Sequence, residues 1–115
     1  MTRIVFFTRG RRLYGFTARG HAGAGERGED IVCSAISALT QTAATGLIAC
    51  AGAQALLRRD DEKGLLRFLC SARMTREARE RVDLVLRVAR HGLEEIEAQF
   101  PAFLRVTTRK RGFSE

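Results

Sequence analysis

His21, Asp30, Cys33 and Ser37 fall in one short run of the chain, with Gly23, Gly25 and Gly28 between the histidine and the cysteine. A thiol with a histidine in reach is a nucleophile with a general base, the pair needed for acyl transfer. The three glycines mark a flexible or positive-φ segment, a mobile loop between base and nucleophile. From Ile31 onward the apolar residues have helical spacing, which predicts Cys33 in the first turn of a helix, as its third residue. Unpaired amides and the helix dipole at such a start stabilise a thiolate, and first-turn cysteines can fall well below the free thiol value of ~8.5. Asp30 reads either as the N-cap of that helix or as a catalytic acid, since aspartate is among the best caps. The alternative for Cys33 is structural, because a helical cysteine is commonly a small packing residue.

Other chemistries fit the run less well. Residues 23–28 match G-x-G-x-x-G, but the strand before them belongs to a hairpin. No acid stands ~20 residues further on, where Ile48 lies, and Glu26 and Glu29 would oppose a pyrophosphate. No G-K-[ST] follows, so a P-loop is excluded. A metal site would have to join His21 and Cys33 to His91, which reads as an exposed helix histidine between Arg90 and Gly92, so neither metal nor cofactor is expected.

The elements around the run are legible from pattern. Residues 4–8 and 13–17 are β-branched and aromatic, with Arg9-Gly10-Arg11-Arg12 as a turn, giving an antiparallel hairpin. After the loop, Val32, Ile36, Leu39, Ala43 and Leu47 form the buried stripe of a helix ending near Ala51-Gly52. Cys33, Ser37, Thr40, Gln41 and Ala44 give it a small, polar face suited to a cleft. Residues 55–58 and 65–70 read as a second hairpin about the charged turn 60–64, with a helix as the alternative for leucine-rich runs this short. Thr75 caps a long helix with the stripe Ala78, Val82, Val85, Ala89, Leu93, Ile96 and Phe100, and with i,i+4 pairs Asp83–Arg87 and Arg90–Glu94 on its outer face. Pro101 stops it, and residues 103–107 make a last strand before the basic tail Arg109-Lys110-Arg111. The order is ββαββαβ. It predicts an α+β two-layer sandwich, two helices packed on one face of a mixed, mainly antiparallel sheet, the other face solvated or covered by a second copy of the chain.

At 115 residues the chain suits one domain. Cys33, Cys50 and Cys70 are odd in number and widely spaced, so reduced thiols are expected and no disulfide framework. The N-terminus has no signal-peptide pattern, and no apolar run is read as approaching the ~18 residues of a membrane span, so no membrane partner and a cytoplasmic location are expected. The net charge of +7 and pI near 10.6 favour an anionic partner. Arg9, Arg11, Arg12, Arg58, Arg59 and residues 109–111 collect at turns and in the tail, without the aromatic pattern of an RNA-recognition motif.

The wording Gly20-His21-Ala22-Gly23, then Gly28-Glu29-Asp30-Ile31-Val32-Cys33, then Ala35-Ile36-Ser37-Ala38-Leu39 and Gly46-Leu47 resembles the ribosomal-processing cysteine protease family, Prp. The likeness is strongest over about residues 14–48. It implies a cysteine protease domain over residues 1–115, with Cys33 as nucleophile, His21 as general base and acid, and Asp30 and Ser37 in supporting places. Residues 23–28 would be a loop that rearranges around substrate. The resemblance further implies a bacterial cytoplasmic homodimer that removes the N-terminal extension of the large-subunit ribosomal protein numbered twenty-seven, cutting after a pair of aromatic residues, with possible ribosome association. Ser34 stands where the family has alanine, and the tail is basic where many relatives are acidic. The competing expectation is a non-enzymatic ribosome- or RNA-binding module with Cys33 as a packing residue.

Overall fold

The structure, a computed structural model, describes residues 1–20 and 27–110, without the side chains of residues 27–30. β1 (Thr2–Arg9) and β2 (Arg12–Arg19) form the first hairpin. It turns at Gly10, whose φ of 64° is a conformation that only glycine adopts without strain. α1 (Arg27–Ala51) leads to the second hairpin, β3 (Ala55–Asp60) and β4 (Leu65–Cys70), and α2 (Arg76–Gln99) leads to β5 (Leu104–Lys110). The five strands lie in the order β3-β4-β2-β1-β5, all antiparallel except β1 with β5. The parallel pair follows from α2, which carries the chain across the sheet before β5. The expected α+β sandwich with ββαββαβ order is the fold observed.

Strand alternation separates two faces. Phe6, Phe16 and Phe68 stand in one row across β1, β2 and β4, with ring centroids 5.6 and 6.0 Å apart. Ile4, Ala18 and Leu104 extend this face, and Val32, Ile36, Ala44 and Leu47 of α1 close over it with Val82, Leu86 and Leu93 of α2. Thr75 caps α2 as expected, its hydroxyl accepting the Ala78 N–H at 3.1 Å. Asp83 and Arg87 pair at 2.9 Å, but Arg90 donates to Thr108 of β5 in place of the expected Glu94.

Several expectations are corrected. α1 starts at Arg27, so Gly28 is helical rather than part of a loop, Asp30 is the fourth helical residue rather than the cap, and Cys33 lies in the second turn. Ala44 is fully buried in the core and does not face a cleft. β5 extends to Lys110, so Arg109 and Lys110 are strand residues hydrogen-bonded beside β1, not a tail. Residues 31–51 are, by length and a mean hydropathy of 1.5, apolar enough to cross a bilayer. Serine, threonine and glutamine interrupt that run without adding charge, which hid it from a search for uninterrupted apolar residues. Here it serves as the helix whose apolar stripe roofs the core.

The α2 stripe is shifted as well. Val82, Leu86, Ala89 and Leu93 are buried, whereas Val85 and Phe100 are exposed. Leu86→Ala should therefore lower stability by about 2–5 kcal/mol, and Val85→Ala by less than about 1. Urea unfolding of the two variants would separate the registers, and equal losses would contradict the one described.

Candidate active site

Cys33 opens into a cleft of about 380 Å³ between α1 and one end of the sheet. One wall is helical: Cys33, Ser37 and Gln41 recur every four residues, with Ile36 and Thr40 beside them. The opposite wall comes from Thr2 of β1, Ala18 of β2, Gly20 just after β2, Arg59 of β3, Leu65 and Leu66 of β4, and the β3–β4 turn with Asp61 and Gly64. The volume is within the range of small-ligand sites.

Cys33 is half-buried, and its Sγ lies 3.8 Å from the Oγ1 of buried Thr2, a sulfur–hydroxyl hydrogen bond. Thr2 is held in turn by its N–H donating to Phe103 O at 2.9 Å. Thr40 is also buried, its hydroxyl donating to the carbonyl of Ile36 at 2.9 Å, so it stiffens the helix behind the sulfur. At the mouth, Arg59 and Asp61 pair at 2.7 Å with both side chains largely exposed, an arrangement that adds little stability. That pair is placed to meet whatever enters.

The second-turn position changes the chemistry expected at Cys33. Six residues at 1.5 Å per residue put it about 9 Å along the axis from the helix start, and dipole effects fade within the first turn. Activation by the helix start is therefore replaced by a requirement for a base beside the sulfur. His21, Gly23 and Gly25 lie outside the described residues. Gly20, the residue before His21, lines the cleft, and its N–H donates to Gly64 O at 3.0 Å. Ser37 lines the same wall as Cys33, as expected.

Thr2, Arg59, Asp61 and the leucine pair were not anticipated. For Thr2 a signal existed: a hairpin that sets Arg3 opposite Arg19 sets residue 2 beside residue 20. Nothing local points to Arg59 and Asp61, whose place follows from the docking of β4 on β2.

The other thiols differ sharply from Cys33. Cys50 is exposed near the end of α1. Cys70 is buried, and burial pushes its thiol from 9.0 up to about 12, against a smaller opposing effect of the Arg9 charge. A raised acid holds its proton longer in the folded state, so this contribution is complete below the unfolded thiol's value and is lost as pH climbs from about 9 toward 12. Urea midpoints followed from about pH 8 to 11 should fall by up to one proton's worth, about 1.4 kcal/mol per pH unit, more steeply in the wild type than in Cys70→Ala. Parallel curves would contradict this environment for the thiol.

A sheet-and-helix sandwich with a thiol at the mouth of a cleft has the general form of a thiol enzyme, and sequence comparison makes the class definite: the protein is a cysteine protease. The chain belongs to the cysteine protease Prp family, whose profile matches residues 1–105. The ribosomal processing cysteine protease Prp of Bacillus subtilis is 32% identical over 96 residues, covering 84% of this chain and 86% of the relative. A crystal structure of a Streptococcus mutans protein superimposes with a TM-score of 0.83 at 27% identity, over 96% of both chains. The Prp protease of S. aureus in complex with a substrate peptide superimposes at 0.80 with 20% identity, over 95% of this chain and all of that one, a likeness of fold. Family membership sets aside the expectation of a non-enzymatic module.

Proposed function

We propose that this protease removes the N-terminal extension of the large-subunit ribosomal protein numbered twenty-seven, with Cys33 as nucleophile and His21 as its base. The observation that carries this reading is the half-buried Cys33 thiol opening into a cleft that Gly20, the neighbour of His21, also lines. His21 takes the thiol proton as sulfur attacks the scissile carbonyl carbon, forming a tetrahedral oxyanion. Collapse breaks the C–N bond, and the imidazolium gives its proton to the leaving amine. Water, deprotonated by the same imidazole, then cleaves the thioester and frees Cys33. Asp30 and Ser37 support this pair, Asp30 from the first turn of α1 and Ser37 from the cleft wall.

Apolar Ile36, Leu65 and Leu66 offer a surface for the aromatic pair before the cut. We place the enzyme in the cytoplasm, where its substrate is made, in transient association with the ribosome. We infer a homodimer that covers the outer ridge of α2, where Leu84 and Val88, one turn apart, are each 64% exposed.

The test is a peptide spanning the extension junction of the same organism's ribosomal protein. A single cut immediately after the aromatic pair, lost when both aromatics become alanine, is the expected mass-spectrometric result. An uncut peptide under conditions where Cys33 alkylates readily would leave a cysteine protease of different specificity.

A further inference from the structure

The sheet face turned away from the helices carries arginines in register. One row across β3, β4, β2, β1 and β5 reads Asp60, Leu65, Arg19, Arg3, Arg105; the next reads Arg58, Arg67, Thr17, Val5, Thr107; the third reads Leu56, Leu69, Gly15, Phe7, Arg109. Arg3 thus stands directly between Arg19 and Arg105, and Arg58 opposite Arg67. Like charges directly opposite destabilise a sheet. Asp60 is the only acid in any of the five strands, and it sits at a corner, accepting the Lys63 N–H. On the helix side of the sheet Glu80 of α2 pairs with Arg12 and Arg76, and Asp83 pairs with Arg87. Among the described residues none of the six arginines of the sheet face has an acidic partner.

The face is also concave. Arg3, Arg19, Arg67 and Arg109 rim a hollow of about 440 Å³ floored by Val5, Phe7 and Thr17. Within it, Arg67 Nε and Thr17 Oγ1 are buried without a hydrogen-bond partner. Gly20 lines both this hollow and the cleft that holds Cys33, so the two sites meet at one end of the sheet, beyond the last residue of central β2.

We propose that this arginine face binds the phosphate backbone of structured RNA, and so holds an RNA-bound substrate protein with its extension in the adjoining cleft. Guanidinium groups grip phosphate oxygens bidentately, and neutralisation by phosphates relieves the repulsion between the opposed pairs. A second copy of the same positive face cannot supply that relief. Breadth favours RNA over DNA: the major groove of B-form DNA admits a helix or a two-stranded ribbon, whereas the wide, shallow minor groove of an A-form helix can lie against a broad sheet. The choice of RNA rests also on the ribosomal-processing reading.

The experiment measures binding of wild type and of the combined variant Arg3→Gln, Arg67→Gln, Arg105→Gln, Arg109→Gln to an RNA duplex of about 16 base pairs, between about 50 and 200 mM salt. Each lost phosphate contact should lower the log–log salt slope by about 0.7 to 0.9, and the combined variant should bind roughly tenfold or more weakly at the higher salt. Cleavage of the free junction peptide should be unchanged. The single variant Arg105→Gln, exposed on the edge strand, serves if the combined variant unfolds, and should weaken binding about two- to threefold. Wild-type binding retained by both variants overturns the proposal. So does equal or tighter binding to a DNA duplex, displacement of RNA by polyglutamate at matched charge, which would make the partner an acidic protein, or an altered sedimentation coefficient in the variants, which would make the face a contact between copies. If wild type leaves the junction peptide intact while RNA binding follows the arginines, the substrate assignment fails and this face stands.

Discussion

Cys33→Ala is expected to remove turnover of the junction peptide by about 10⁴-fold or more in kcat, with the fold intact. The sulfur is half-buried at the cleft wall rather than packed in the core, so its loss should lower stability by less than about 1 kcal/mol. Cys33→Ser keeps the shape but substitutes a hydroxyl for a far better nucleophile, and should recover little. His21→Ala should fall to a similar level, and the double variant should be no worse than either single one, because in the proposed mechanism the two residues act as a unit. With Cys33 in the second turn, the proposed base has more to do than it would beside a helix-start thiol. Limiting iodoacetamide at about pH 6.5 gives the complementary readout, since a thiolate reacts and a thiol does not. Exposed Cys50 is the informative comparison, because Cys70 is protected by burial. Substrate peptide should slow labelling of Cys33 and leave Cys50 untouched. Turnover by Cys33→Ala at the wild-type rate would remove Cys33 from the mechanism.

The parts of this molecule legible in the sequence are those set by local period and local chemistry. The first hairpin declares itself through β-branched and aromatic runs about Gly10, the second only through leucine-rich runs about a charged turn that ends at Gly64, and Thr75 through its capping position. The start of α1 was misread because Asp30, a good cap residue, stands just before the apolar run, while Arg27-Gly28-Glu29 carries no apolar signal although it is helical. The α2 register slipped because residues 84–86 and 88 are all apolar, and steps of three and four reach the core by Val85 or by Leu86 equally well; contact with β2 and β5 decides for Leu86. The charge pattern was mislocated for a related reason. Of the arginines read at turns and in the tail, Arg58 and Arg109 join Arg3, Arg19, Arg67 and Arg105 in one surface only through register, and register is a property of strand pairs.

Gly20→Ala should combine a loss of stability with a loss of activity, because one residue fixes both. Gly20 holds φ at 120°, where a side chain is strained, and a Cβ there would clash with the Met1 carbonyl oxygen and lie 3.1 Å from Thr2 Cα. Both are backbone atoms, so no side-chain rotation relieves the clash. Backbone strain and overpacking each contribute about 1–3 kcal/mol, giving an expected loss of about 2–6 kcal/mol. The relief available is to push the start of β1 away, which moves Thr2 from Cys33 and weakens the Gly20–Gly64 hydrogen bond that ties β2 to the far cleft wall. A displacement of about 1 Å at a reacting pair can lower the rate about 100-fold, so kcat/KM should drop by at least that factor in the fraction that remains folded. Gly10→Ala is the control: its φ of 64° carries similar conformational strain, but nothing lies within 4 Å of its added Cβ and it sits at the hairpin tip, away from the cleft. It should lose about 1 kcal/mol and keep its activity. Urea unfolding with peptide kinetics on the same samples separates the two effects. Equal behaviour of the two variants would show that Gly20 serves only its own turn and does not position the site.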